Sequence, residues 1–313
     1  MRRVFVTWPL PSASLDRLAA VCQVISNPRE EILARADLIR GAAGAFALVT
    51  TLRDVVDAAV LDATGVKLVA NVAVGFDNID VDAARKRKVL VTNTPGVLTE
   101  TTADLAFALM LATLRRVAEG DRLVRAGAFH GWHPGLMLGR DLHGKTLGVV
   151  GLGRIGRAVA RRARGFSMRV LYHGGRPEDI GLEPRSLPEL LAESDIVSLH
   201  VPLTPATRGL IGAEELGRMK RHAVLINTAR GDVVDTEALV AALERGHLGG
   251  AGLDVFEGSP ERPDPRLFAM EHVVMTPHVG SATVETRRAM AEKAVDNVLA
   301  AAQGQRPPDL VGG

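Results

Sequence analysis

Residues 146–156, Thr-Leu-Gly-Val-Val-Gly-Leu-Gly-Arg-Ile-Gly, constrain this chain more than any other stretch. A short apolar run (Leu147, Val149, Val150) enters Gly151, Gly153 and Gly156, spaced G-x-G-x-x-G, and an alanine- and arginine-rich stretch, Arg157 to Arg164, follows. Strand, tight turn and helix in that order lift the motif above chance. Gly151 permits the turn, Gly153 lets a pyrophosphate approach the backbone, and Gly156 lets the helix lie close to the strand. The N–H groups of the first helical turn, at Arg154 and Ile155, then face the phosphates with the helix dipole behind them. The plainer alternative is a glycine-rich turn in some other α/β fold; the flanking pattern favours a dinucleotide site.

Around this turn the chain alternates strand and helix. Apolar runs at 3–7, 21–25, 45–50, 67–71 and 89–92 read as strands, with helical patterns from Ser12 or Ser14 and over 30–36, 54–63 and 81–88. The texture changes at Thr94-Pro95-Gly96, after which 99–126 reads as one long helix and 127–141 as a loop. Strands at 169–172, 196–200, 223–227, 250–255 and 273–276 then alternate with helices at 187–192, 213–219, 237–245 and 284–301. The tail, 303–313, carries Pro307-Pro308 and is expected to be mobile. Such alternation implies right-handed crossovers and mostly parallel sheets. At 313 residues the chain has room for two domains. We expect an α/β protein of two doubly wound parallel-sheet domains. A dinucleotide-binding Rossmann domain, 99–283, is inserted into a discontinuous flavodoxin-like substrate domain, 1–98 and 284–313. The cleft between them is where substrate would meet cofactor.

Bulk properties remove other classes. The net charge is +2 with both signs interspersed, so no nucleic-acid or membrane footprint appears. A single cysteine, Cys22, excludes an internal disulfide and a multi-cysteine metal site, and no metal is expected. Pro9 and Pro11 interrupt the N-terminus, which lacks a signal-peptide apolar core, and no apolar run approaches the length of a membrane span. A cytoplasmic protein is the expectation.

Seven blocks in order carry a resemblance. They are Val74-Gly75-Phe76-Asp77-Asn78-Ile79-Asp80; Thr94-Pro95-Gly96 with Thr102-Ala103-Asp104; Gly151 to Gly156; His200-Val201-Pro202-Leu203-Thr204; Asn227-Thr228-Ala229-Arg230-Gly231; Gly252-Leu253-Asp254-Val255-Phe256; and Thr276-Pro277-His278-Val279-Gly280-Ser281. Together they span nearly the whole chain, which resembles the D-isomer-specific 2-hydroxyacid dehydrogenases. Thr94–Asp104 and Gly131-Trp132-His133-Pro134 make it most similar to the glyoxylate/hydroxypyruvate reductase branch.

Reducing a 2-keto acid takes a hydride on carbon, a proton on oxygen and a clamp for the carboxylate. Arg230 follows an apolar strand, where ligands of open α/β sheets bind, and its planar fork suits a carboxylate and a developing alkoxide. His278, in a loop after a strand, can give a proton in reduction and take one in reverse. The resemblance implies that backbone N–H groups at Val74 and Gly75 hold the substrate carboxylate. It also implies that Asp254 meets the nicotinamide amide with Thr102 near the ring, and that His200, Val201 and Pro202 line the adenine side. Thr207, Thr228, Ala229 and Gly280 complete the cofactor contacts it implies.

The main departure is at Ser259, where the family places a glutamate that pairs with the histidine. Glu257 or Glu261 could substitute from a shifted loop; the enzyme could work without a carboxylate; or the chain could have become a non-catalytic dinucleotide sensor. Intact Arg230 and His278 rank the second first, with Ser259→Glu expected to extend reduction toward higher pH. Phosphoglycerate dehydrogenase is a further alternative. For the cofactor, His173 stands where an acid would bind the ribose of NAD, with Arg176 close by to pair with a 2′-phosphate. NADPH is therefore expected over NADH. The 99–126 helix and the Trp132 loop suggest a homodimer, as in relatives.

Overall fold

The structure, a computed structural model, describes residues 1–175, 181–258 and 261–312. Its contacts group into two units, Met1–Leu98 with Ser281–Gly313, and Thr99–Gly280.

The first unit holds β1 (Arg2–Val6), α1 (Ser12–Ala19), β2 (Cys22–Ser26), α2 (Arg35–Ala42), β3 (Ala47–Thr50), α3 (Ala58–Thr64), β4 (Leu68–Asn71), α4 (Val81–Lys86) and β5 (Leu90–Thr92). The strands form a parallel sheet in the order β2-β1-β3-β4-β5, the flavodoxin-like order. Alternate residues go to opposite faces. Val4, Val6, Val49 and Leu68 cluster with Leu18 and, from the C-terminal helix Val284–Ala302, Val295 and Val298; Leu48, Val69 and Val91 cluster with Leu38, Val60 and Ala84.

Three expectations need correction here. The first helix after β2 starts at Arg35 rather than at residue 30, because the Asn27 carboxamide ties the preceding segment into a turn. Its Nδ2 donates to the Glu31 carbonyl (3.3 Å) and its Oδ1 accepts from Arg29 N–H (3.1 Å). The next helix starts at Ala58 rather than at 54, capped by Asp57, which accepts from Val60 N–H. The tail is not loose. Leu310 bridges Thr92, Val311 N–H donates to the Val91 carbonyl (2.9 Å), and Asp309 takes Lys293 Nζ at 2.9 Å and Asn297 Nδ2 at 3.0 Å. Pro307-Pro308 therefore lead into a segment that covers the β5 edge.

The second unit holds α5 (Thr99–Leu114), α6 (Val117–Arg125), β6 (Thr146–Leu152), α7 (Arg154–Ala163), β7 (Arg169–Gly175), β8 (Glu183–Pro184), α8 (Leu187–Glu193), β9 (Ile196–Leu199), α9 (Ala213–Arg218), β10 (Val224–Asn227), α10 (Thr236–Glu244), β11 (Gly250–Leu253) and β12 (Val273–Met275). The seven strands are parallel, in the order β12-β11-β10-β9-β6-β7-β8. This is the Rossmann order with one strand added, and it reverses between β6 and β9. α5 and α7 cover one face of the sheet and α8, α9 and α10 the other.

The expected 99–126 helix is two helices. Arg116 lies in the left-handed region (φ +55°), and Arg140 N–H takes the Leu114 carbonyl at 2.8 Å, so the backbone ladder stops there. Apolar residues recur at near-helical spacing on both sides of the break (Leu105, Leu109 and Ala112, then Leu123 and Val124), which is why the pattern reads as continuous. No helix among the described residues is long and apolar enough to cross a membrane.

Candidate active site

The switch point between β6 and β9 carries the glycine turn. Gly151 has φ +96°, and a Cβ there would lie 2.7 Å from the His200 carbonyl oxygen. A Cβ on Gly156 would lie 2.1 Å from the Gly151 carbonyl oxygen, so that glycine brings α7 onto the strand. Gly153 is different: its backbone is extended, and a Cβ would meet nothing within 4 Å. It is the N-cap of α7 and offers no side-chain cap, so the N–H groups of the first turn, Arg154 and Ile155 included, are left to face an anion. Thr228, at the C-terminal end of β10, has a buried hydroxyl with no partner among the described residues. A dinucleotide fits this edge: its pyrophosphate matches the uncapped helix start and its polar groups can satisfy the threonine.

The adjoining strand ends line the same edge. The His200 N–H donates to the Val150 carbonyl (2.7 Å), its Nε2 meets Ser198 Oγ at 2.9 Å, and burial pushes its pKa down to about 4. His200 is therefore neutral at physiological pH. Val201 closes over Gly151. Thr207 uses its hydroxyl inside its own loop, donating to the Pro202 carbonyl (2.6 Å) and accepting from Thr204 N–H (2.8 Å), so it shapes the 202–207 segment. At the end of β7, His173 Nδ1 lies 3.1 Å from the Arg185 carbonyl. A carbonyl only accepts, so Nδ1 carries the proton and Nε2 is an acceptor in the neutral ring. Arg176 lies outside the described residues.

Arg230 and His278 leave the same sheet edge. β10, β11 and β12 are parallel neighbours in register, Asn227 beside Leu253 beside Met275, so the residues just beyond each strand emerge together. Asn227 shapes the first turn: its Oδ1 accepts from Ala229 N–H (3.0 Å) and its Nδ2 donates to the Arg230 carbonyl (2.8 Å). Arg230 Nη1 donates to the Ala229 carbonyl at 2.8 Å. Gly231 packs so closely on the Phe256 carbonyl that a Cβ would overlap it. The arginine turn and the loop after β11 are thereby pressed together.

Asp254 organises the histidine loop. Its carboxylate accepts from Thr276 Oγ1 (2.6 Å), Val279 N–H (2.8 Å) and Gly280 N–H (2.8 Å), and its backbone carbonyl accepts from His278 N–H (2.9 Å). Burial pushes its pKa up, while these bonds and the nearby His278 pull it down. Thr102 Oγ1, on α5, donates to the Gly280 carbonyl (3.0 Å) and pins the loop from the other side. His278 itself has φ +55°. Five hydrogen bonds from Asp254 and Thr102 thus surround one residue in a sparsely populated backbone conformation. The sequence assigns Asp254 and Thr102 only to the cofactor; their service to this loop was not legible there.

The imidazole has a carboxylate partner. His278 Nδ1 lies 2.9 and 3.2 Å from the two oxygens of Glu261. The expectation ranked first, a histidine working without a carboxylate, is therefore corrected. Ser259 itself lies outside the described residues. Glu257, the other acid weighed for the role, turns away and accepts from Thr236 N–H at 3.2 Å. In the first unit, Val74 and Gly75 lie in the loop between β4 and α4, with their carbonyls held by Asn93 and Asn71.

Known proteins match this arrangement. Residues 107–280 match the NAD binding domain of the D-isomer specific 2-hydroxyacid dehydrogenases. A glyoxylate reductase of Korarchaeum cryptofilum is 51% identical, the match covering 99% of this chain and 95% of that one. A solved structure from Thermus thermophilus is 52% identical with a TM-score of 0.94, covering 99% of both chains. An NADPH-dependent glyoxylate/hydroxypyruvate reductase from Sinorhizobium meliloti, solved with NADP and malonate, is 34% identical with a TM-score of 0.88, covering 99% of this chain and 97% of that one. With the glycine turn, the strand order and the near-complete coverage in agreement, this chain belongs to the D-isomer-specific 2-hydroxyacid dehydrogenases, NAD(P)-dependent oxidoreductases.

Proposed function

We propose that this protein is a reductase of glyoxylate and hydroxypyruvate that draws on NADPH, with Arg230 as the substrate clamp and His278 as the general acid. The observation that carries the reading is the His278–Glu261 pair, on the sheet edge that also bears Arg230. When bound, a reduced nicotinamide supplies the hydride to the ketone carbon. His278 keeps its Nδ1 proton on Glu261 and gives its Nε2 proton to the ketone oxygen, so the alkoxide leaves as a hydroxyl and the ring ends neutral. The Glu261 carboxylate, at 2.9 Å from Nδ1, fixes the orientation of the ring so that Nε2 faces the substrate. Arg230 faces the carboxylate and the oxygen with a fork of donors that stays charged throughout. Val74 and Gly75 contribute backbone N–H groups to the carboxylate. With a carboxylate back at the histidine, the departure at Ser259 no longer favours a non-catalytic sensor.

NADPH is preferred because the end of β7 presents His173 and two glycines, and no acid that would repel a 2′-phosphate. Arg176 is assigned to that phosphate from the sequence. The working form is a homodimer. α6 has no buried residue, and Val124 (60% exposed), Trp132 (80%) and Leu138 (70%) leave apolar surface that a second copy would cover. A substrate panel run with both cofactors tests the assignment: the highest kcat/KM falls on glyoxylate or hydroxypyruvate, at least tenfold higher with NADPH than with NADH. A preference for NADH, or for a bulky 2-keto acid, overturns it. Light scattering at micromolar concentration tests the dimer, and a monomer there removes it.

A further inference from the structure

The seven-stranded sheet has a second edge, at the amino ends of its strands, that the reaction does not use. β6, β9 and β10 are parallel neighbours, with Leu147 beside Ile196 beside Val224, so the residues that lead into each strand gather at one place. A cleft of about 80 Å³ lies there. Arg140, Lys145, Lys220, Arg221 and His222 line it, together with two acids, Asp141 and Asp195. Asp195 is already engaged. Its Oδ2 accepts from Thr146 N–H (2.9 Å) and its Oδ1 meets Lys220 Nζ at 3.0 Å. Burial pushes its carboxyl up, but Thr146 N–H, Lys220 and Lys145 outweigh that and hold it below its ordinary value. It therefore stays charged and neutralises Lys220. Arg140, Lys145 and Arg221 then share one remaining carboxylate, Asp141, an excess of two positive charges. None of these three cations forms an ion pair among the described residues.

The cluster is braced. Arg140 Nη1 donates to the His222 carbonyl at 2.8 Å, which ties together the segments that lead into β6 and β10. Its Nε and Nη2 have no acceptor among the described residues. His222 is fixed in turn. It has φ +69°, its N–H donates to the His247 carbonyl, and Gly249 packs so closely that a Cβ there would lie 2.3 Å from the His222 carbonyl oxygen. Desolvation, and then the charges of Arg140, Arg221 and His247, push the His222 imidazole below its ordinary value. We propose that this cleft is a binding site for a small oxyanion of the phosphate class, with Arg140, Lys145 and Arg221 as its ligands. Guanidinium forks and an ammonium group suit the oxygens of such an ion. The cleft has room for the ion, or for the phosphoryl end of a small monoester, and is too small for a segment of a macromolecule. Occupancy removes the repulsion among the three cations, so the ion stabilises the folded chain by mass action.

The test uses the full chain with NADPH bound, so that the cofactor edge is filled. Inorganic phosphate is the probe, and sodium chloride of equal ionic strength is the reference. Calorimetric titration should show one site with a Kd of about 1 mM or tighter. The His222 ring resonances should move with the same midpoint, and the melting temperature should rise with phosphate beyond the chloride reference. Arg221 makes no hydrogen bond or ion pair among the described residues, so Arg221→Gln leaves the fold intact. That variant should bind phosphate about tenfold more weakly, the value of one charge-assisted hydrogen bond, and lose the rise in melting temperature. Arg221→Lys recovers part of the loss, and Arg40→Gln, at a surface arginine of the first unit, binds as the wild type does. Without phosphate, Arg221→Gln keeps its NADPH affinity and its glyoxylate kcat/KM within twofold. Glycerol 2-phosphate run beside phosphate separates the two sources: tighter binding of the ester assigns the site to a phosphorylated metabolite, and weaker binding assigns it to the free ion. Titration that does not saturate by about tenfold the expected Kd overturns the inference. So do His222 resonances that follow ionic strength alone, and an Arg221→Gln variant that binds phosphate as tightly as the wild type.

Discussion

Replacing Glu261 by glutamine tests the acid pair by itself. Glutamine keeps the length and the hydrogen-bonding oxygen but removes the charge that lies 2.9 Å from His278 Nδ1. At an effective dielectric of ~20, two unit charges ~4 Å apart interact by about 4 kcal/mol. The two side chains are 32% and 27% exposed, and screening reduces the differential effect to about 1 kcal/mol. That is close to fivefold in rate. The assay is kcat/KM for glyoxylate with NADPH, beside a melting curve of each protein. The variant should lose about fivefold in kcat/KM with its melting behaviour unchanged. Adding Ser259→Glu to this variant should restore part of the rate. Ser259→Glu alone should change little, contrary to the sequence-based expectation, because Glu261 already fills the role. An unchanged kcat/KM in Glu261→Gln with native melting behaviour refutes the assignment of Glu261. A loss matched by a fall in melting temperature would make it a packing residue only.

Three further outcomes follow from the geometry. Gly156→Ala puts a Cβ 2.1 Å from the Gly151 carbonyl, so α7 must lift from β6; fluorescence titration should show NADPH affinity down by tenfold or more, with stability lowered by about 1–3 kcal/mol. His200 has a folded pKa of about 4 against an ordinary value near 6.5, so the unfolded chain takes up its proton first and stability is lost as pH falls from 6.5 toward 4. The loss is up to about 3 kcal/mol, and denaturant titrations at pH 7.5 and 4.5 should show a smaller difference in His200→Gln. Asp309→Ala unpairs Lys293 and Asn297 and should cost about 2–3 kcal/mol in urea unfolding, with limited proteolysis now cutting the tail.

Much of the fold was legible because buried parallel strands read as short apolar runs and the glycine turn needs its own spacing. Every expected strand has a counterpart among β1 to β12, and the observed strand without an expectation is the two-residue β8, which is too short to leave a pattern. Three features were hidden because they depend on contacts distant in sequence. The break at Arg116 coincides with the Leu114 carbonyl being claimed by Arg140, and residue spacing carries no sign of that bond. The tail looked loose because its ordering comes from Asp309 meeting Lys293 on a helix and from Val311 meeting β5. The partner of His278 was hidden because Glu261 lies beyond Pro260, two positions from where the resemblance places an acid. An acid near the expected position was the available signal, and it could not separate Glu261 from Glu257. Arg230 and His278 were legible through motif context, and the register of β10, β11 and β12 explains why residues so distant in sequence leave one edge.

The central claim is that His278 supplies the proton when a 2-keto acid is reduced. It is tested most directly by following NADPH absorbance at 340 nm during glyoxylate turnover by the wild type and by His278→Gln, with NADPH and oxalate binding measured on both. The account predicts steady consumption by the wild type, and a drop of about 10²–10⁴ in kcat for the variant with both binding constants within threefold. A wild type that leaves NADPH untouched, or a variant that turns over within tenfold of it, contradicts the account.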